Sequence, residues 1–220
     1  MRATIVPVPD AELARFEALY AEAERTGDRS HIPWDHDRPN PTLVAWLDSE
    51  APGTLRCGSR VAVIGCGRGH DARELLRRGY EVTAFDCSQA AVRAAKALDP
   101  ENAACYFRAD LFDLPPRWVH RFDLVVEIHT LQALPPVHRP RVMDGAARLV
   151  GASGILLVIT RAVERPVAVE SGPPWPLTQA ELVTLADEAG LSVIACTPLV
   201  AGEPPSPRLR AVLGRRGSGT

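Results

Sequence analysis

Short apolar runs alternate along this chain with segments in which apolar residues recur every three or four positions. The runs predict buried strands, and the segments between them have the spacing of amphipathic helices. The predicted strands are RVAVI, YEVTAFD, AACYFRAD, FDLVVEI, GILLVIT and LSVIAC, with RLRAVLGR as the candidate for a seventh. Strands that alternate with helices and are apolar on both faces predict a parallel sheet covered by helices on two sides.

The helical segments carry their own boundary signals. Asn40, Ser88 and Thr178 stand where an N-cap is expected, and the last of these opens a capping box. Gly79 and Gly151 follow helical patterns and are predicted to end them. The carboxyl ends of parallel strands share one edge of the sheet, so residues that follow each strand are the first candidates for a ligand site.

Length and composition favour one domain with additions at its ends. The chain has 220 residues, of which 46% are hydrophobic, enough for a sizeable core. We expect an N-terminal helical lid or cap segment over residues 1–50, a main domain over 51–214 and a flexible tail over 215–220.

Charge and cysteine content exclude several classes of protein. The net charge is -2, and no block of five like charges occurs, which argues against a nucleic-acid partner. The five cysteines form no CxxC pair, which argues against a disulfide framework or a zinc site and suits a reducing compartment. The N-terminus has neither signal-peptide nor membrane-span character, so we expect a cytoplasmic protein without a membrane partner.

The segment VIGCGRGHDA joins the first predicted strand to a helix through Gly65, Gly67 and Gly69. Such a turn removes Cβ atoms and presents backbone N–H groups at a helix N-terminus, as nucleotide-like ligands require. The spacing is GxGxG, and His70 stands where a dinucleotide fingerprint needs the last glycine. Asp71 in the first helical turn disfavours a diphosphate and suits an ammonium group. The alternative is a tight turn without a ligand.

Two further acids follow the next strands. Asp86 lies 21 residues after Gly65, where a carboxylate is placed to accept both ribose hydroxyls. Asp110 ends the third strand, where it can accept an adenine amine while the N–H of Leu111 meets a ring nitrogen. Each acid also has an ordinary role: Asp86 as an N-cap, and Asp110 as a turn residue.

Together, VIGCGRGHDA, TAFDCS and RADLFDL resemble the class I S-adenosylmethionine-dependent methyltransferases, over about Arg60 to Gly214. The resemblance implies a Rossmann-like fold with a seven-stranded, mostly parallel sheet and helices on both faces. It also implies a glycine loop under the methionine part of the cofactor. Many members place an acid where this chain has Val63, so Asp71 is our candidate partner for the cofactor's ammonium group. The expected cofactor-binding residues are Trp34, Gly65, Cys66, Gly67, Gly69, Asp71, Asp86, Cys87, Asp110, Leu111 and Glu127.

Two other segments resemble the thiopurine and halide/thiol methyltransferases. IPWDHDRPNPTLVAWL is similar to a segment that closes over the cofactor in that group, and VVEIHTLQALPPVHRPRV is similar to its strand-four segment. Leu131 and Gln132 replace the aromatic residues expected there. Trp34 either meets the sulfonium through a cation–π contact or anchors the lid by packing.

The expected acceptor side lies after strands four and five. His129 is the candidate catalytic group, and His129, Gln132 and Trp175 are the candidate substrate-binding residues, with no metal expected. We expect S-methylation of a thiol or thiopurine-like small molecule, with N- or O-methylation as the alternative, by a monomer or homodimer. A nicotinamide-dependent oxidoreductase and a non-catalytic cofactor sensor are the rival hypotheses.

Overall fold

The computed structural model describes residues 10–168, 170, 172–201 and 205–216. These residues form two compact units, one over 10–113 and the other from 114 onward. This division differs from the predicted boundary after residue 50, and the role of residues 1–50 as a lid stays a prediction. Most of the predicted flexible tail, residues 217–220, lies outside the described residues.

The unit over residues 10–113 contains four helices and three strands. They are α1 (Asp10–Thr26), α2 (Pro41–Ser49), β1 (Arg60–Ile64), α3 (His70–Arg77), β2 (Glu81–Asp86), α4 (Gln89–Leu98) and β3 (Tyr106–Arg108). The strands lie in the order β3-β2-β1 and are all parallel, with Val61 opposite Val82 and Ala84 opposite Tyr106. β1 is buried along most of its length, as its uninterrupted apolar run predicts.

The two N-caps predicted in this unit are confirmed. Asn40 accepts a hydrogen bond from the Thr42 N–H at 2.9 Å, and the Ser88 hydroxyl accepts one from the Ala91 N–H at 3.0 Å. The third strand is shorter than the apolar run AACYFRAD predicts. The first residues of that run belong to a 3₁₀ helix, Pro100–Cys105, which directly precedes β3.

The unit from residue 114 onward contains three helices and four strands among its described residues. They are β4 (Phe122–Ile128), α5 (Thr130–Ala133), α6 (Arg139–Leu149), β5 (Val150–Arg161), α7 (Gln179–Glu188), β6 (Leu191–Ala201) and β7 (Ser206–Arg215). The strands lie in the order β4-β5-β7-β6; β4 and β5 are parallel, and β7 is antiparallel to both of its neighbours. The protein thus has a seven-stranded, mostly parallel sheet, and the predicted fold class is confirmed.

Three details of this unit differ from the sequence expectation. Gly151 does not end α6, because the helix stops at Leu149 and Gly151 already lies in β5. A Cβ at Gly151 would stand 2.9 Å from the Phe122 carbonyl oxygen, so close strand packing accounts for this glycine. The capping box is half formed, because Thr178 accepts from the Glu181 N–H at 3.1 Å while the Glu181 carboxylate pairs with Arg139. The short helix α5 has no counterpart among the predicted elements.

None of the helices in the described part of the chain has the length and apolar character needed to cross a membrane.

Candidate functional site

The glycine loop between β1 and α3 has a left-handed backbone at each of its glycines. Gly65, Gly67 and Gly69 have φ values of 57°, 52° and 82°. A Cβ on Gly67 would lie 2.6 Å from the Tyr20 hydroxyl oxygen, and one on Gly69 would lie 2.7 Å from Cε1 of Tyr106. The protein's own side chains therefore require these two glycines, whatever ligand the loop also meets.

The backbone N–H groups of this loop bond within the unit. The Cys66 N–H donates to the Phe85 carbonyl at 2.9 Å, the Gly67 N–H to Asp86 Oδ2 at 3.0 Å, and the Gly69 N–H to the Cys66 carbonyl at 2.8 Å. This differs from a phosphate-binding loop, in which such groups face the ligand. The loop offers a ligand a surface free of side chains, and it is held in place by Asp86.

Asp86 is only 6% exposed at the end of β2. Its Oδ1 accepts the Ser88 N–H at 2.9 Å, while its Oδ2 accepts the Gly67 N–H. Burial raises the pKa of Asp86, and these hydrogen bonds oppose that shift. A carboxylate oxygen has two lone pairs, so each oxygen keeps capacity for a ribose hydroxyl.

Two cysteines lie next to this carboxylate. Burial and the Asp86 charge raise the pKa of Cys87 to about 12, and the same two causes raise the pKa of Cys66 well above its ordinary value. Both groups are neutral thiols at physiological pH, which suits lining a cofactor site and does not suit nucleophilic chemistry.

Asp71 lies partly buried in the first turn of α3. It accepts a hydrogen bond from the Asn40 N–H at 2.6 Å, which ties the start of α2 to α3. Burial raises the pKa of Asp71 to about 6, and the neighbouring Glu74 carboxylate adds to the shift. An ammonium group would favour the charged form of such a carboxyl, so Asp71 fits the role proposed for it.

Asp110 forms the turn that an aspartate after a strand commonly forms. Its Oδ1 accepts the Phe112 N–H at 2.8 Å, and Leu111 beside it is buried. Oδ2 is not used in that turn, which leaves the adenine role of Asp110 compatible with the geometry.

Trp34 packs against the N-terminal helix. Its indole N–H donates to the Tyr20 hydroxyl at 2.9 Å, and its ring lies 6.1 Å from that of Phe16. These contacts support the packing alternative for Trp34. Tyr20 lies between Trp34 and Gly67, and the sequence did not predict it as a site residue. Burial and the Asp86 charge strongly raise the pKa of Tyr20. Its place on the apolar face of α1 is its only sequence signal.

Beside the loop, two carboxylates share two guanidinium groups. Arg68 reaches Asp35 at 3.1 Å and also contacts Asp37, while Arg29 lies 3.6 Å from Asp35. His70 joins this cluster, and its ligand atom and those of both aspartates lie within 4.8 Å of one another. The histidine spacing in the sequence did not predict this meeting. Because both carboxylates already pair with arginines, we interpret the cluster as an ion-pair network that fastens residues 29–37 to the glycine loop.

In the other unit, Glu127 is fully buried at the end of β4. Its Oε1 accepts the Leu131 N–H at 3.0 Å, whereas Oε2 has no hydrogen-bond partner among the described residues. Burial raises the pKa of Glu127 to about 7, against the effect of hydrogen bonding by the Leu131 and Thr130 backbone and the Thr130 side chain. The group therefore titrates near neutrality and has one oxygen available to a ligand.

The residues that follow Glu127 are held by β5. His129 has a φ of 71°, a left-handed conformation that is uncommon for histidine, and its N–H donates to the Ile159 carbonyl at 3.1 Å. The Gln132 side-chain oxygen accepts from the Thr160 hydroxyl at 3.0 Å and from the Arg161 N–H at 2.6 Å. Gln132 is thus a fixed part of the strand-end structure.

Arg139 is a third feature that the sequence did not reveal. It is 3% exposed, and its guanidinium donates to the carbonyls of Leu131 at 3.3 Å and Trp175 at 2.5 Å and pairs with Glu181. The Trp175 N–H in turn donates to the Gln132 carbonyl at 2.8 Å. Arg139 therefore joins two of the predicted substrate-binding residues, Gln132 and Trp175, to one scaffold.

Sequence comparison identifies relatives with a common activity. A family described as thiopurine S-methyltransferase (TPMT) matches residues 24–194. Ubiquinone biosynthesis O-methyltransferases match from Pseudomonas aeruginosa (strain UCBPP-PA14), 33% identical over 131 residues, and from Alkalilimnicola ehrlichii (strain ATCC BAA-1101 / DSM 17681 / MLHE-1), 31% identical over 159 residues. The matches cover 58% and 70% of this chain but only 53% and 60% of those two relatives.

Solved structures show the same fold. The 1,6-didemethyltoxoflavin-N1-methyltransferase of Burkholderia thailandensis, with bound S-adenosylhomocysteine, has a TM-score of 0.74 at 16% identity and covers 97% of this chain and 93% of its own. The magnesium protoporphyrin IX methyltransferase of Synechocystis PCC 6803, with bound S-adenosylmethionine, has a TM-score of 0.67 at 20% identity and covers 97% and 100%.

The family match and the seven-stranded fold together identify a class I S-adenosylmethionine-dependent methyltransferase. Within that class, the chain belongs to the thiopurine S-methyltransferase (TPMT) family, which matches residues 24–194.

Proposed function

We propose that this protein transfers the methyl group of S-adenosylmethionine to a small-molecule acceptor. The observation that carries the proposal is the bond between Gly67 and the buried Asp86, which fixes a side-chain-free loop beside a carboxylate suited to ribose hydroxyls. A nicotinamide dinucleotide suits the site less, because the loop N–H groups bond inside the unit and an acid occupies the first turn of α3.

Each residue of the cofactor set has a proposed contact. Gly65, Gly67 and Gly69 lie against the methionine part, and Asp71 holds its ammonium group. Asp86 accepts from the ribose hydroxyls, and Asp110 accepts from the adenine amine. Cys66, Cys87 and Leu111 complete the proposed lining within this unit. Glu127 stays a predicted member of the set, and the packing of Trp34 on Tyr20 and Phe16 favours an anchoring role for it. The bound cofactor supplies a methyl group on a sulfonium, which is already a good leaving group, so the protein's work is alignment and exclusion of water.

For the acceptor we propose a sulfur atom in a thiol or thiopurine-like molecule. Membership of the thiopurine S-methyltransferase family supports this choice. A thiol of low pKa forms its thiolate at neutral pH without help, so the chemistry needs no strong base. His129, Gln132 and Trp175 would then orient the acceptor.

A second candidate is transfer to nitrogen or oxygen, and Glu127 favours it. An amine or hydroxyl acceptor must lose a proton, and a buried carboxyl with a pKa of about 7 and an unpartnered oxygen is able to take one. The sequence offered His129 as the only obvious base, and the structure adds Glu127.

A panel of acceptors tests the proposed function directly. Thiols, thiopurines, selenols, halides, phenols and amines are each supplied with S-adenosylmethionine, and S-adenosylhomocysteine formation is measured. We expect turnover with at least one thiol, and Asp86→Ala serves as the control with weakened cofactor affinity. Failure of the wild-type protein to bind S-adenosylhomocysteine in calorimetry would refute the proposal itself.

Two variants then distinguish the acceptor atoms. For a thiol substrate, we expect His129→Gln and Glu127→Gln each to lower kcat modestly, because no positioned base is needed. For nitrogen or oxygen acceptors, loss of the base should cost about 10²–10⁴-fold. Glu127 acts as a base only when ionised, so kcat/KM should then fall below a pH near its pKa of about 7, and Glu127→Gln should abolish that decline.

The comparison is made at saturating cofactor with variants that melt as the wild type does. A loss above about a hundredfold with a thiol, the lower end of the general-base range, would overturn S-methylation in favour of the second candidate.

A further inference from the structure

Two arginines face each other directly across β5 and β7. Arg161 is the last residue of β5, and the antiparallel register places it opposite Arg208. Like charges directly opposite on a sheet destabilise it, so this pair calls for a compensating group.

Arg208 has a guanidinium nitrogen that the described residues leave unsatisfied. Its Nη1 is buried without a hydrogen-bond partner among them, and burial together with the Arg161 charge lowers its pKa. Leaving a charged donor buried and unpaired is costly. Arg161 is exposed, so water can solvate its charge. Arg208 is partly buried, so solvation by water does not satisfy its guanidinium in the same way.

A second unsatisfied group lies on the same strand. The Ser206 hydroxyl is also buried without a partner in the described part of the chain. Ser206 and Arg208 are two residues apart in β7, and side chains at that spacing lie on the same face of a sheet. Two unpaired donors, with a second arginine opposite one of them, thus occupy one face.

The position of Arg161 connects this face to the predicted acceptor residues. Its N–H donates to the Gln132 side chain at 2.6 Å, and Arg161 stands at the carboxyl end of β5. The carboxyl ends of parallel strands are where such sheets bind ligands.

We propose that Arg161, Arg208 and the Ser206 hydroxyl form a binding site for an oxyanion, a carboxylate or a phosphate, carried by the methyl acceptor. This assignment of the substrate class rests on the proposed function. Guanidinium groups offer paired N–H donors that match the oxygens of such anions, and an anion between two arginines removes their mutual repulsion. The same chemistry suits a free phosphate that acts as an effector, so the experiment distinguishes the two sources.

The first measurement needs no substrate. Thermal unfolding of the full chain is followed in sodium phosphate and in sodium chloride at matched ionic strength. A ligand that binds only the folded state raises Tm. We expect phosphate to raise the Tm of the wild type, and to do so less or not at all in Arg161→Gln and Arg208→Gln.

Arg215→Gln is the matched control, because it removes the same charge from the other end of β7. Phosphate should stabilise this variant as it does the wild type. An equal response in all four proteins would overturn the oxyanion site. Because two arginines are tested separately, failure of one variant to fold leaves the other as the test.

The second measurement identifies the source of the anion. Kinetics are compared for 4-mercaptobenzoate and its uncharged amide, 4-mercaptobenzamide. If the acceptor carries the anion, the wild type prefers the carboxylate, and Arg208→Gln reduces that preference in kcat/KM about tenfold or more, while Arg215→Gln does not. Equal use of both acceptors together with an Arg208-dependent Tm response would overturn the acceptor assignment and identify a separate phosphate site.

The two measurements also separate the oxyanion site from the proposed function. If no acceptor in the panel is methylated, the proposed function is wrong, and so is the proposal that the acceptor carries the anion. The Tm response still decides whether the oxyanion site exists.

Discussion

Burial controls the carboxyl groups on which the proposed chemistry depends. Asp71, Asp86 and Glu127 all have raised pKa values, and in each case loss of hydration is the largest cause. In each, hydrogen bonds from backbone N–H groups oppose the shift. A cationic or donor group of a ligand would act in the same direction as those N–H groups, so binding and ionisation are linked at these residues.

Asp86→Ala should weaken binding of S-adenosylhomocysteine by about 1.5–3 kcal/mol, the range for hydrogen bonds to a charged group. Calorimetry measures the dissociation constant, and Ser88→Ala is the matched control, since it removes the α4 cap without touching the ribose contact. A dissociation constant that is the same in wild type and Asp86→Ala would remove the ribose assignment.

Asp71 should make stability depend on pH. Its pKa rises from 3.8 to about 6 on folding, so the folded chain binds the proton more tightly than the unfolded chain does. The contribution is complete below about pH 4 and is lost as pH rises through 6. The unfolding free energy of the wild type, relative to Asp71→Asn, should therefore fall across that window by at most about 3 kcal/mol. Denaturant titrations at several pH values measure it.

The cofactor's ammonium group would hold Asp71 ionised and reduce that dependence. S-adenosylhomocysteine should therefore bind the wild type more tightly as pH rises through 6, and should bind Asp71→Asn with a flatter profile. Identical profiles for the two proteins would show that another group holds the ammonium.

At the level of elements, one buried arginine organises the acceptor side. Arg139 lies at the start of α6 and joins α5, the Trp175 segment and α7 through Leu131, Trp175 and Glu181. Within the described residues, its hydrogen bonds go to Leu131, Trp175, Pro176 and Glu181, and none goes to a proposed cofactor-binding side chain. It is a positioning residue, and its effect should appear in the acceptor constants.

Arg139→Met should lower the free energy of unfolding by about 3–5 kcal/mol, because it leaves Glu181 and three carbonyls without their partner. In the fraction that stays folded, the acceptor KM should rise while cofactor affinity changes little. Arg139→Lys should restore part of both effects. Arg148→Met, at an exposed position of the same helix, is the control. If KM and cofactor affinity change together in Arg139→Met, the role is general stability and not acceptor positioning.

At the level of the whole molecule, polar contacts fasten the segment before α2 to the glycine loop and to the helices α1 and α3. Asp35 pairs with Arg68, the Asn40 N–H donates to Asp71, and Trp34 donates to Tyr20. The side chains of Arg68 and Asp71 flank the glycines proposed to meet the cofactor. A ligand on the loop would therefore stabilise the segment's attachment.

Hydrogen exchange should reveal this coupling. We expect S-adenosylhomocysteine to increase protection of residues 32–40, with α6 as an internal reference. Equal protection of residues 32–40 with and without the ligand would count against a ligand-coupled lid.

The local pattern of this chain determined most of its elements. Strand runs such as RVAVI and FDLVVEI match β1 and β4 residue for residue, because buried parallel strands are rich in apolar residues. Asn40 and Ser88 were predictable caps, since their bonding partners lie two or three residues away. The cofactor class was predictable from three segments, VIGCGRGHDA, TAFDCS and RADLFDL, each of which spans the carboxyl end of a strand.

Only the tertiary structure decided which distant groups meet. Tyr20 against Gly67, Arg139 on Trp175 and Arg161 opposite Arg208 join residues far apart in sequence, and no local spacing predicts them. The same holds for charge, because a carboxyl's pKa depends on how completely the folded chain removes its water. The sequence placed Glu127 among the cofactor-binding candidates, but only the fold shows the burial that makes it titrate near neutrality.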